Sequence, residues 1–267
     1  MANTLYSLSR SAANNKSDVL KGTPHDDVLH GSLGHTTFYG GLGDDIYYSK
    51  NAGDTIVEYA NEGNDTVYAD TTFTLPTHVE NLTLEGNGNT FGFGNNSNNI
   101  LIGNSGNNRL SGEEGNDFLY GMGGNDTLSG GNGNDHLNGG DGDDYLAGGL
   151  GSDTIITGAG RDTVAFTAAD IREGSIDRVV EFDPNTDKLD LSGMRSLLTG
   201  SNANLSWSKM FVDKDPEVIL QKTVLISSLI QSSRLLLIVQ QVQAVAPFLP
   251  NSILAGWKHP ISSAKDP

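Results

Sequence analysis

Cysteine is absent from the 267 residues, so neither a disulfide nor a thiolate metal site can form. Basic residues are scarce: 16 Lys and Arg stand against 33 Asp and Glu, a formal charge of −17 with a pI near 4.5. That balance excludes nucleic acid, whose phosphates call for a basic footprint, and suits divalent cations. No apolar run approaches the ~20 residues that span a bilayer. The opening stretch MANTLYSLSRSAANNKSDVL has no apolar segment of signal-peptide length, so export, if it occurs, takes another route. Catalytic signatures are missing as well. H-E-x-x-H does not occur, the run from His25 to His30 has the wrong spacing for it, and no G-x-S-x-G elbow is found. No enzymatic role is expected. His25, His30 and His35 are evenly spaced but would not converge on one metal.

Glycine, by contrast, is plentiful: 34 residues, too many for helices. Apolar residues recur every nine positions at Leu101, Leu110, Leu119, Leu128, Leu137, Leu146, Ile155 and Val164. Two residues before the last six stand Asp117, Asp126, Asp135, Asp144, Asp153 and Asp162. The stretch SGGNGNDHLNGGDGDDYLAGGLGSDTI is therefore G-G-x-G-x-D-x-U-x repeated without a gap, U being a large apolar residue. A shorter array keeps the spacing at Leu20, Leu29, Phe38 and Tyr47, with Asp18, Asp27 and Asp45 two residues before three of them. Between the arrays the apolar residues and glycines persist while asparagine replaces aspartate, as at Asn99 and Asn108. Asparagine holds a turn but brings no charge to a cation, so roll-like structure with weak or absent metal sites is expected there.

Glycines let the turn backbone enter φ > 0, and x-U-x has room only for a very short strand with U inward. Two repeats then make one coil of eighteen residues. This stacks Asp117 on Asp135, Asp126 on Asp144, Asp135 on Asp153 and Asp144 on Asp162. Such pairs, with turn carbonyls, offer the oxygen donors Ca²⁺ prefers, while Mg²⁺ demands tighter octahedral geometry. Ordering nine backbone residues costs roughly 9–18 kcal/mol, against about 1.5–3 kcal/mol from burying one Leu. Bound cations are therefore expected to be part of the fold.

The array from Gly103 to Val164 resembles the repeats-in-toxin (RTX) calcium-binding proteins, and AGRDTVAFTAADIREGSIDRVVEFDPNTDKLDLSG resembles the segment that follows the roll in serralysin-type proteases. The resemblance implies an all-β fold, a parallel β-roll or β-solenoid closed by a capping segment. It implies export by type I machinery without a signal peptide, folding on Ca²⁺ outside the cell, and several bound Ca²⁺ ions. By the same resemblance the ligands are Asp27, Asp45, Asp117, Asp126, Asp135, Asp144, Asp153 and Asp162. Turn glycines join them: Gly121, Gly130, Gly131, Gly133, Gly139, Gly140, Gly142, Gly148, Gly149 and Gly151.

The expected organisation is a lead at 1–16, a short roll at 17–70, an Asn-rich segment at 71–100, the main roll at 101–165, a cap at 166–212 and an apolar tail at 213–267. Asp183-x-Asn185-x-Asp187 mimics an EF-hand start, but Lys188 replaces its glycine and Met194 its glutamate, so a turn is expected. From Val218 onward the chain carries +3, leaving −20 on residues 1–217. Val218, Leu225, Leu229, Leu236 and Val239 fit one helical face, which suits a membrane-surface helix. An export signal and a shifted reading frame near Asp215 also fit that change of composition. The leading expectation is a non-enzymatic, structural, adhesive or export role. The alternatives are a membrane-active protein resembling nodulation-type secreted calcium-binding proteins, and a detached module of a secreted protease, lipase or polysaccharide-modifying enzyme.

Overall fold

A computed structural model describes residues 4–6, 17–167, 170, 175–193 and 217–221. Apolar residues alternate with polar ones along each short strand, so one side of every strand is driven inward. The period-nine residues from Leu101 to Val164 are all fully buried, as are Leu29, Phe38, Tyr47 and Val67. Successive coils stack in register and set each inward residue on the next. Leu101 pairs with Leu119, Leu119 with Leu137 and Leu137 with Ile155 on one face. Leu110, Leu128, Leu146 and Val164 do the same on the other. The result is a parallel β-solenoid with a narrow ladder of apolar side chains between its faces.

One face is a continuous 11-stranded sheet running from Thr4–Tyr6 to Glu217–Gln221. The other is split into a 3-stranded sheet, ending at Thr55–Val57, and a 7-stranded sheet that starts at Phe73–Thr74. The split falls just ahead of the Asn-rich segment, where the coil departs from eighteen residues: Val67 pairs with Leu82, and Leu82 with Leu101. Phe73, Leu75, Val79, Leu82 and Leu84 are all buried there, a denser apolar core than one residue per nine supplies.

Most strands in the main roll are longer than x-U-x allows, Phe118–Tyr120 keeping its 3 residues. Arg109–Glu114, Thr127–Asn132, His136–Asp141, Tyr145–Leu150 and Thr154–Ala159 each have 6 residues. In three strand pairs the pairing resumes beyond the first glycine of the turn, as in Glu113 with Gly131 and Gly140 with Gly158. The turn backbone is itself part of the sheet.

Past the main roll, Ile176–Val180 stacks on Thr154–Ala159, and Lys188–Gly193 on Thr163–Thr167. Glu217–Gln221 then pairs antiparallel with Ile176–Val180, ending the parallel series. Val218 thus lies in a strand rather than on the expected helical face. The rest of that apolar tail, from 222, lies outside the described residues.

Candidate metal centre

Each turn is built around a ladder of aspartates two residues before the buried apolar position. The backbone N–H of one aspartate donates to Oδ1 of the aspartate one coil later. Asp117 donates to Asp135 at 2.9 Å, Asp126 to Asp144 at 2.7 Å, Asp135 to Asp153 at 3.0 Å and Asp144 to Asp162 at 2.9 Å. All four stacks expected from the spacing are brought together. In the first array Asp27 donates to Asp45 at 2.7 Å and Asp45 to Asp65 at 2.8 Å.

Oδ1 is thereby used, and Oδ2 is what remains. In Asp45, Asp65, Asp117, Asp126, Asp144 and Asp162 that second oxygen is buried and makes no hydrogen bond. Leaving a buried charged oxygen unsatisfied costs more than about 1–3 kcal/mol, so such an atom points to a missing partner. Burial pushes the Asp45, Asp65, Asp117 and Asp144 carboxyls up to about 7, and those of Asp126 and Asp162 up to about 6. The ladder hydrogen bonds pull the other way, and neighbouring carboxylates raise most of them further.

The glycine five residues before each aspartate shows what else lines the space. A Cβ on Gly112 would fall against Asp117 Oδ2 and, at 2.6 Å, the Gly130 carbonyl oxygen. A Cβ on Gly139 would meet Asp144 Oδ2 and, at 2.5 Å, the Thr157 carbonyl. The same position at Gly121 and Gly130 faces the carbonyls of Gly139 and Gly148. Among the predicted turn ligands, the Gly130, Gly139 and Gly148 carbonyls thus adjoin the carboxylates of Asp117, Asp126 and Asp135.

The carbonyls of Gly131, Gly133, Gly140 and Gly142 point along the roll at Gly149, Gly151, Gly158 and Gly160. All eight of these residues have positive φ, between 93° and 148°. Here glycine answers both a left-handed backbone and a carbonyl with no room for a side chain.

These residues fit a calcium ion. The donors are hard oxygens, carboxylate and carbonyl, and several are buried without a partner. Among the described residues no group of three or more His, Asp or Glu side chains could hold a metal by itself. The donor set is instead shared between side chains and backbone, which is how a glycine-rich turn presents oxygen. Calcium bound there supplies the positive charge that stacked carboxylates lack.

Asp27 differs from the other predicted ligands. Its Oδ2 accepts from the Thr23 backbone N–H and, at 2.9 Å, from the Thr23 hydroxyl. Besides Asp54, which accepts the Thr36 N–H at 2.7 Å, three aspartates that continue the ladder are absent from the sequence-based ligand set: Asp65, Asp177 and Asp187. Asp153 N–H donates to Asp177 Oδ1 across 24 residues, and Asp162 N–H to Asp187 Oδ1 across 25. Each stands two before a ladder residue, Val67, Val179 or Leu189, so its phase is legible once the longer coils are allowed. The Asp183–Asp187 stretch is a turn, closed by Asp187 N–H to the Asp183 carbonyl at 2.7 Å.

A second ladder runs one residue earlier. Oδ1 of Asn98, Asn107, Asn116, Asn125 and Asn134 each accepts a backbone N–H from the coil that follows, at 2.7–3.0 Å. The recurrent Asn of G-N-D carries this signal.

The fold and turns define a class: a parallel β-roll whose stacked Gly-Asp turns gather oxygen donors for calcium. Residues 13–47, 21–56, 93–128 and 129–164 match the family model for the RTX calcium-binding nonapeptide repeat. Over those residues the chain carries RTX calcium-binding nonapeptide repeats. That match ends at 164 and does not confirm the likeness of the following segment to serralysin-type proteases. No curated protein matches the chain.

Proposed function

We propose that this calcium-binding β-roll is an extracellular protein that orders as it binds Ca²⁺ after export, with a non-enzymatic structural, adhesive or export role. The observation that carries this reading is the row of buried Oδ2 atoms without a partner along the roll. A chain with −20 on its first 217 residues gathers like charges at 18-residue intervals. Without counter-charge the aspartates resist stacking, and binding free energy then becomes folding free energy. Where Ca²⁺ is scarce the chain stays open enough for export; where Ca²⁺ abounds it closes.

Far-UV circular dichroism during a calcium titration tests this. A chelated sample should give a coil-like spectrum and gain β signal as Ca²⁺ rises into roughly the 10⁻⁴–10⁻³ M range of extracellular modules. Mg²⁺ at equal concentration should substitute poorly. A chelated chain with its full β signal would contradict the reading.

A further inference from the structure

The ladder turns are of two kinds, separated by the residue four before the ladder side chain. In the first kind that residue has left-handed backbone: Gly41 (φ 106), Glu113 (φ 76), Met122 (φ 79), Gly140 (φ 98) and Gly158 (φ 93). Glutamate and methionine rarely adopt such a φ, so the turn itself imposes it. In these turns Oδ2 of Asp45, Asp117, Asp126, Asp144 and Asp162 is buried without a hydrogen bond. The amide two before the aspartate is spent on the next coil: Gly115 to the Asn132 carbonyl at 2.9 Å, Gly124 to Asp141 at 2.9 Å and Gly142 to Ala159 at 2.8 Å.

In the second kind the corresponding residue is Thr23, Asn95, Asn104 or Asp183, none of them left-handed. Its own N–H turns onto the ladder side chain. Thr23 donates to Asp27 Oδ2, Asn95 to Asn99 Oδ1 at 2.8 Å, Asn104 to Asn108 Oδ1 at 2.7 Å and Asp183 to Asp187 Oδ2 at 2.8 Å. In three of these turns the four-before side chain also takes the amide two residues on. Asn95 accepts from Ser97 at 2.7 Å, Asn104 from Gly106 at 2.8 Å and Asp183 from Asn185 at 2.9 Å. Asp54 reaches the same end through the Lys50 and Asn51 amides, both at 3.2 Å.

We propose that the residue four before the ladder position decides whether a turn takes a cation, so that an aspartate at the ladder position is not by itself enough. A left-handed residue swings its amide away and leaves the carboxylate oxygen for a metal. A Thr, Asn or Asp with negative φ fills the same oxygen with its own N–H and closes the turn without metal. Closed turns therefore sit in the first array at Asp27, in the Asn-rich middle and at the cap, while the open turns of the main roll lie between the last two. Asp27, a ligand by sequence, belongs to a closed turn. The proposal rests on the calcium reading above and assigns its sites turn by turn.

Counting bound Ca²⁺ on the full chain by native mass spectrometry tests it. Asn108→Asp supplies the missing carboxylate but keeps Asn104, so it should bind no more calcium than the parent. Asn104→Gly with Asn108→Asp makes residues 103–108 read Gly-Gly-Ser-Gly-Asn-Asp, and should bind one ion more. An independent turn answers the same question. Thr23→Gly with His25→Gly makes residues 22–27 read Gly-Gly-Pro-Gly-Asp-Asp and should also add one ion, whereas His25→Gly alone should add none. A gain of one ion in Asn108→Asp or His25→Gly alone would overturn the proposal. So would an unchanged count in both double variants with their calcium-loaded circular dichroism intact. A parent chain that binds no calcium would overturn the calcium reading itself, a result distinct from either.

Discussion

The main roll and the Asn-rich middle share one architecture and complete their turns by opposite means. In both, strands stack in parallel and an Asx side chain takes a backbone amide, but Asp144 accepts that of Asp126 one coil away at 2.7 Å, whereas Asn108 holds that of Asn104 in its own turn at the same distance. The middle adds amides to its own oxygens and packs Phe73, Leu75, Val79, Leu82 and Leu84 beneath them. The main roll has one apolar residue per nine and a carboxylate oxygen left over in turn after turn. One region is finished by the chain alone, the other by what the chain binds.

The sharpest contrast should come from glycine. Gly139→Val puts a side chain onto Asp144 Oδ2 and the Thr157 carbonyl, so we expect more than about 3 kcal/mol of lost stability in calcium. Gly88→Ala, in the middle, meets nothing within 4 Å and should stay within about 0.5 kcal/mol of the parent by thermal or denaturant unfolding. Comparable losses at the two positions would mean that the cradle is not tightly built.

Removing ladder side chains should separate the regions next. Asp144→Ala strips a cap from the Asp126 amide and a carboxylate from the turn, about 1–3 kcal/mol. It should lower calcium affinity and cooperativity more than Asp18→Ala, at the start of an edge strand. Asn99→Ala strands the Asn95 amide at similar cost, but equally in calcium and in chelator. Calorimetric titration and paired melts check both.

A smaller effect should appear with pH in chelator. The ladder carboxyls lie at about 6 to about 7 in the roll, above their ordinary 3.8. Between those values the metal-free fold holds more protons than the unfolded chain. Its stability is therefore greatest at the acid end and falls as pH rises through the window. Chelated protein should show more β signal near about pH 5 than near about pH 8. With Ca²⁺ present, acid should instead weaken binding as protons compete for the same oxygens. Asn99 and Asn108 do not titrate, so the middle should respond less to either change, through the Asp117 and Asp126 carboxylates that accept the Asn99 and Asn108 amides.

Much of this was legible in the sequence, because period and phase are carried by many residues at once. Eight apolar positions and six aspartates agree on the coil, and the stacked pairs follow from counting by eighteen. What was illegible is local. The Thr23 cap on Asp27 depends on one backbone torsion, which the Asp27 phase does not reveal. Asp65, Asp177 and Asp187 were missed because their coils are longer, at 20, 24 and 25 residues. The six-residue strands were missed because glycine-rich turns are expected to leave a sheet, and here they pair within it.

Region-resolved hydrogen exchange, with calcium and with chelator, tests the central claim most directly. In calcium, residues 73–102 and 117–162 should both be protected. In chelator, 117–162 should lose its protection while 73–102 keeps most of its own. Protection that persists across 117–162 in chelator, or vanishes from both regions together, would contradict the account.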